Sequence, residues 1–224
     1  MLRKNTDYFE RDENGSPLPY LDAVAVTFIV DKQTVFLEFV KGNLDFMNSL
    51  DASYKDELLT LDGQLRPKYA ERIDMESTPF LNTEYLGFNM EMTDGPIKDK
   101  RIRQAINYGF DRRKMMRYLR NNIGMPGTEG FVPPSLQSTI VSGYEYNPEK
   151  ARLLLAQAGY PGGKGLPRLK LSTTSSYLDL CKYIQQQLGL LGIDVDVDVN
   201  PPAALREQMA QGKSAWFRGS WIAD

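Results

Sequence analysis

The sequence contains no histidine. That removes every Ser-His-Asp and Cys-His catalytic arrangement, and with it the commonest side-chain ligand of transition metals. A single cysteine, Cys181, cannot form an internal disulfide. It lies on the apolar side of a helical stripe and reads as a buried, inert thiol. No apolar run is long enough to span a bilayer, and Met1-Leu2-Arg3-Lys4-Asn5 lacks the apolar core of a secretory signal. Basic residues (27) nearly balance acidic ones (29) and form no cluster. No phosphate-tracking surface results, so nucleic acid is not an expected partner.

What is present is a 224-residue chain, 42% hydrophobic, with enough apolar mass for one large or two small cores. Asn5–Tyr20 is polar and turn-rich. Val24, Val26, Phe28 and Val30 alternate, predicting a strand over Ala23–Val30. Asp31 can cap a helix over Lys32–Lys41 that ends at Gly42. Leu44–Met47 and Ile73–Ser77 read as further short strands, with a weakly amphipathic helix over Asp51–Thr60 between them.

Tyr85, Leu86 and Phe88 form an extended run that stops at Asn89. Asp99 then caps a helix with Ile102, Ala105, Ile106 and Phe110 on one face, and Asp111 caps a second carrying Met115, Tyr118 and Leu119. Gly124–Pro134 is too rich in glycine and proline for regular structure. Asn147-Pro148 is a cap followed by proline at the first helical position, opening a helix that buries Ala151, Leu154, Leu155 and Ala158. A strand at Leu169–Ser172, a helix carrying Leu180, Cys181, Ile184 and Leu188, and a strand over Ile193–Val199 predict a parallel βαβ unit. One more helix, with Leu205 and Met209, precedes a last strand over Ala215–Trp221.

Two chemical motifs fail on their own rules. Asp194, Asp196 and Asp198 have calcium-loop spacing, but Val199 and Leu205 stand where that loop needs glycine and glutamate. The alternating valines make this the solvent face of a strand. Gly162-Gly163-Lys164-Gly165 lacks the hydroxyl residue and the preceding strand of a phosphate loop. Most carboxylates lie in polar surface patterns. Asp224 differs, because it follows Phe217, Trp221, Ile222 and Ala223, a setting in which a bare carboxylate needs a cationic or hydrogen-bonding partner. On the residues alone, a chain-terminal carboxylate or a helix cap is the reading favoured for it.

Two long blocks resemble one family. Tyr85-Leu86-Gly87-Phe88-Asn89, followed by Pro96-Ile97, Asp99, Arg101, Arg103, Ala105, Ile106, Tyr108, Asp111 and Arg112, is similar to the middle segment of the extracellular solute-binding proteins of peptide-type ABC transporters, family 5. Tyr146 to Tyr160 matches that family's Y-[DN]-P-E-K-A-[KR]-x-L-L-A-x-A-G-Y block. Phe131-Val132-Pro133-Pro134 resembles the end of its proline loop. The tail Gly219-Ser220-Trp221-Ile222-Ala223-Asp224 is similar to its G-W-x-[AG]-D motif, with Ser220 inserted or replacing the glycine.

The resemblance implies an α/β, periplasmic-binding-protein-like two-lobed fold with mixed sheets and flanking helices, here incomplete. Residues 1–85 would be the rear part of lobe one, and residues 86–224 most of lobe two, truncated at its C-terminal end. It implies capture of a short peptide for a membrane permease, in the periplasm or cell envelope, by a monomer with no cofactor, no metal and no catalytic residue. In such proteins the motif aspartate pairs with the peptide's α-ammonium, which assigns that role to Asp224 and a wall to Trp221, Ile222 and Ser220. Arg218 would reach a ligand carboxylate or neutralise Asp224, or lie on the surface. Asn89 would offer an amide to the peptide backbone, or shape the turn. A same-family binder of nickel chelate, sugar oligomer or haem, and a carboxylate-dependent hydrolase, stay open.

Overall fold

The computed structural model describes residues 1–48, 50–51, 53–92, 95–136 and 141–222. The chain divides into two compact units, Met1–Tyr54 and Lys55–Asp224. In order, the regular elements are β1 (Leu2–Arg3), β2 (Ala23–Val24), α1 (Lys32–Val40), α2 (Lys55–Leu58), α3 (Pro67–Ala70), β3 (Asn82–Phe88), α4 (Lys100–Tyr108), α5 (Arg112–Arg120), α6 (Pro148–Gln157), β4 (Leu169–Thr173), α7 (Leu178–Gly189), β5 (Val195–Val199), α8 (Pro202–Ala210) and β6 (Trp216–Ile222).

In the first unit β1 and β2 pair antiparallel over two residues. The expected strand over Ala23–Val30 therefore stops at Val24. Beyond it Val26, Phe28 and Val30 stay exposed, Phe28 at 93% and Val30 at 97%. Alternation marks a face but supplies no ladder, and among the described residues no second strand pairs with this stretch. Leu44–Met47 likewise forms no strand. The helix prediction fares better, because its determinants are local. Asp31 caps α1, its Oδ1 accepting from the Thr34 N–H at 2.7 Å, and Gly42 follows at φ 82°. Phe36 is buried and stacks on Tyr54, ring centroids 4.6 Å apart.

The second unit opens with two departures. The helix expected over Asp51–Thr60 shrinks to the single turn α2, and Ile73–Ser77 forms no strand. Buried Asn121, in left-handed conformation at the end of α5, holds this segment down. Its Oδ1 accepts from Lys55 Nζ at 2.8 Å, and its Nδ2 donates to Asp56 Oδ1 and the Thr60 carbonyl, each at 3.0 Å. Side-chain bonds thus take the place of helical ones here.

The main sheet has the order β3-β6-β4-β5, with β3 antiparallel to β6 and the β6–β4 and β4–β5 pairs parallel. The β4–α7–β5 crossover is the βαβ unit read from the sequence. Against the sheet packs a core of Ile102, Ala105, Ile106, Phe110, Ala151, Leu155, Leu171, Ile184, Leu188, Ile193 and Trp216. Each fully buried leucine, isoleucine or phenylalanine side chain here contributes about 1.5–3 kcal/mol over leaving it in water. Cys181 belongs to the same core, and burial pushes its thiol pKa up.

The caps form as their residues predict. Asp99 accepts from the Arg101 N–H at 2.8 Å, Asp111 from Lys114 at 3.0 Å and Asn147 from Lys150 at 2.9 Å. On α5 Met115 packs on the core, while Tyr118 is exposed.

The arginines of the long motif act as braces for backbone carbonyls. Arg101 donates to the Gln157 carbonyl at 2.5 Å, and Arg103 to those of Ile97 and Lys98, both at 2.8 Å. Arg112 spans Asn107 and Tyr144 and lies over the Phe110 ring, 4.1 Å from its centroid. Burial pushes the Arg112 pKa down to about 10, so its guanidinium stays charged at neutral pH. These positions hold helix corners together.

Candidate functional site

Strand β6 carries most of the candidate residues, and its register with β3 decides which of them share a side. The pairs run from Asn82 opposite Ile222 through Glu84 opposite Ser220 and Leu86 opposite Arg218 to Phe88 opposite Trp216. Side chains of directly opposed residues lie on one face, and successive residues alternate. One face therefore holds Trp216, Arg218, Ser220 and Ile222. Trp221 points to the other, beside Thr83, Tyr85, Gly87, Phe217 and Gly219.

Both faces show why their residues are of these types. On the Trp221 face a ring lies over each glycine. A Cβ on Gly219 would come within 2.5 Å of Tyr85, and one on Gly87 within 2.5 Å of Phe217. Tyr85 meets Phe131 edge-on at 5.2 Å, and Thr83 Oγ1 donates to the Phe131 carbonyl at 2.8 Å, so the proline loop folds over this face. On the opposite face Trp216 is fully buried and stacks on Phe88. Towards its C-terminal end the strand leaves the core: Ser220 is exposed, Trp221 is 56% exposed and Ile222 58%.

Arg218 stands at the transition. Its side chain retains only 12% of its exposure and ion-pairs through Nη2 with Glu84 Oε2. The guanidinium carbon lies 3.1 Å from the Tyr177 ring centroid, in the turn between β4 and α7. Arg218 Nε is buried and has no hydrogen-bond partner among the described residues. Glu84 Oε1 in turn accepts from Asn82 Nδ2 at 2.8 Å and from the Tyr177 hydroxyl at 3.4 Å.

Asn89 is not brought to this end of the strand. Its N–H donates to the Ala215 carbonyl, roughly 20 Å along β6 from Trp221 at the usual rise per residue. Its side chain is spent on the Gly212 carbonyl (2.9 Å) and the Glu91 N–H (3.0 Å), bonds that shape a turn. Asp224 lies outside the described residues. Glu84, Tyr177, Tyr85 and Phe131 are neighbours that the sequence reading missed. No local signal announces them, because each contact joins residues far apart in the chain.

Other features hold nothing comparable. A polar pocket of about 220 Å³ is lined by Asp111, Arg112, Arg113, Thr128, Tyr144, Glu145 and Tyr146, below the usual size of a ligand site. On β5, Asp198 serves a cross-strand pair with Lys170 at 3.0 Å. Among the described residues no three histidine, cysteine, aspartate or glutamate side chains gather as metal ligands, and no helix is long and apolar enough to cross a membrane.

Comparison with known proteins agrees with this architecture. The glutathione-binding protein GsiB of Shigella flexneri serotype 5b is 27% identical over 214 residues, 92% of this chain and 39% of its own length. The chain thus spans about 39% of the length of the curated relatives it matches. Among solved structures, the periplasmic binding protein DppA from Helicobacter pylori, in complex with peptide STSA, superposes with a TM-score of 0.75 at 25% identity, covering 99% of this chain and 40% of that one. NikA from Brucella suis, in complex with Fe(III)-EDTA, reaches 0.76 at 20% identity, over 93% of this chain and 43% of that one, which shows the shared fold. The profile described as bacterial extracellular solute-binding proteins, family 5 Middle, matches residues 1–224, and the chain belongs to that family of binding proteins rather than to a family of enzymes.

Proposed function

We propose that this chain forms part of the substrate-binding component of an ABC importer. That component captures short peptides outside the cytoplasmic membrane as a monomer and delivers them to a membrane permease. In this reading residues 1–85 belong to lobe one and residues 86–224 to lobe two. The peptide lies extended between the lobes, held by main-chain hydrogen bonds in the manner of an added strand. Hinge closure around it presents the closed form to the permease.

The observation that carries this is the course of β6, which runs from fully buried Trp216 to exposed Trp221 and Ile222. A sheet strand that leaves its core and offers the Trp221 ring to solvent on one face suits a wall against which a ligand is desolvated, with Ile222 exposed on the other face. Asp224, next along, takes the peptide α-ammonium, where a charge-assisted hydrogen bond fixes one end of the ligand. The names of two similar proteins support a peptide-like ligand, since DppA is in complex with peptide STSA and GsiB is glutathione-binding.

Calorimetry of the full-length protein with trialanine, N-acetyl-trialanine and glutathione tests the reading. Trialanine should bind, and both N-acetylation and Asp224→Asn should weaken it by about ten- to a hundredfold, the worth of one hydrogen bond to a charged group. Equal affinity for trialanine and its acetylated twin removes Asp224 from the site. Absence of binding by all three removes peptide capture.

A further inference from the structure

We propose that Phe131 on the proline loop and Trp221 on β6 form a subsite that takes an aromatic side chain of the captured peptide. The inference rests on the capture reading and adds to it the class of ligand side chain favoured beside β6.

Sheet register brings the two rings to one place. Trp221 lies opposite Thr83 on one face, and the Thr83 hydroxyl donates to the Phe131 carbonyl at 2.8 Å. Two residues before Trp221, Gly219 has no side chain, and the Tyr85 ring lies over it, within 2.5 Å of where a Cβ would stand. Phe131 meets that same ring edge-on, centroids 5.2 Å apart. Rings from β3, β6 and the loop are thus gathered around Thr83 and Gly219. Tyr85 is partly buried, whereas Phe131 is 51% exposed and Trp221 56%. A single aromatic in water is ordinary, but two large exposed rings beside a third make a contiguous apolar patch that marks a binding surface.

The surroundings fix the class of side chain. Thr83, Tyr85, Phe131 and Trp221 are all uncharged, and the register puts Glu84 and Arg218 on the opposite face. A charged ligand side chain would be desolvated here without an ionic partner, while a ring gains both apolar burial and edge-to-face contact. The loop is also held in place before any ligand arrives. Besides the Thr83 bond, its Thr128 is buried, and a Cβ on Gly143 would come within 2.2 Å of the Thr128 carbonyl oxygen, so the two limbs of the loop are in backbone contact. A wall fixed in this way loses little freedom on binding.

The test is calorimetry on the full-length protein with trialanine, Phe-Ala-Ala, Ala-Phe-Ala and Ala-Ala-Phe. The wild type should bind at least one phenylalanine peptide about tenfold or more tightly than trialanine, the worth of burying one ring against others. Phe131→Ala should cut that preference to about threefold or less. Phe131→Tyr, which keeps the ring, should retain it, with thermal melts confirming that both variants are folded. A wild type without the preference, as when the rest of the full-length protein covers these rings, overturns the inference and leaves peptide capture standing. So does a preference that survives Phe131→Ala, or one lost equally in Phe131→Tyr. Failure of the wild type to bind any of the four peptides overturns both.

Discussion

The first 54 residues and the remaining 170 obey the same local rules with opposite outcomes. Asp31 caps α1 as soundly as Asn147 caps α6, at 2.7 and 2.9 Å. Yet α1 buries only Phe36, whereas α4 buries Ile102, Ala105 and Ile106 beneath a four-stranded sheet. In the first unit the alternating stretch from Val24 to Val30 stays in water. In the second, the alternating stretch from Val195 to Val199 pairs along its whole length with β4. A cap closes within four residues and forms wherever its sequence occurs. A strand exists only where a partner runs beside it, and its apolar face stabilises nothing until that face is covered.

The sharpest way to break this contrast is to truncate the same kind of side chain in each unit. Leu171→Ala or Ile106→Ala should destabilise the second unit by about 2–5 kcal/mol, the transfer and cavity cost of a fully buried residue. Val30→Ala, at a position already in water, should change stability by no more than about 0.5 kcal/mol. Urea titration with hydrogen exchange read peptide by peptide separates the two. A Val30 effect as large as that of Leu171 would mean that the first unit has a core of its own around that stretch.

The same distinction explains which parts could be read from the sequence. The caps at Asp99, Asp111 and Asn147 and the parallel β4–α7–β5 unit were legible, because each is encoded within a few turns of chain. The strands at Ala23–Val30, Leu44–Met47 and Ile73–Ser77 were not, since nothing local says whether a partner is present. At the candidate site, β6 and its apolar residues were legible from periodicity, but the face was not: a one-residue slip in register exchanges Trp221 for Ile222. Glu84 and Tyr177 were invisible beside Arg218, as they are brought there only by sheet pairing and by the turn after β4. The arginines of the motif show the converse. Their spacing identifies the family, while their side chains brace carbonyls at helix corners.

A finer test compares the caps. Asn147→Ala should cost the second unit about 1 kcal/mol, because α6 is welded into the cooperative core through Ala151 and Leu155. Asp31→Ala removes the same bond from α1, which is only lightly buried. It should speed amide exchange within Lys32–Val40 and leave the main unfolding transition where it was. Movement of that transition by Asp31→Ala would tie α1 into the cooperative unit and erase the distinction between a local and a global stabilising contact.

The smallest expected effect is the response of the second unit to acid through Asp179. Burial opposes the charge of this carboxyl, but the Arg120 guanidinium (2.5 Å) and the Leu180 N–H (2.8 Å) outweigh it and hold the pKa below the usual aspartate value. A carboxyl depressed in the folded state binds fewer protons there than in the unfolded chain, so its contribution is present in full above about pH 4 and lost as pH falls through the folded value. Asp179→Asn should therefore lower stability at neutral pH and flatten its decline as pH falls below the ordinary aspartate value towards the depressed folded one. Because α5 and α7 both lean on this pair, the change should be seen in the exchange of Arg112–Arg120 and Leu178–Gly189 together. If the acid slope is unchanged in Asp179→Asn, the pair is not coupled to folding and the acid response of the unit comes from its other carboxylates.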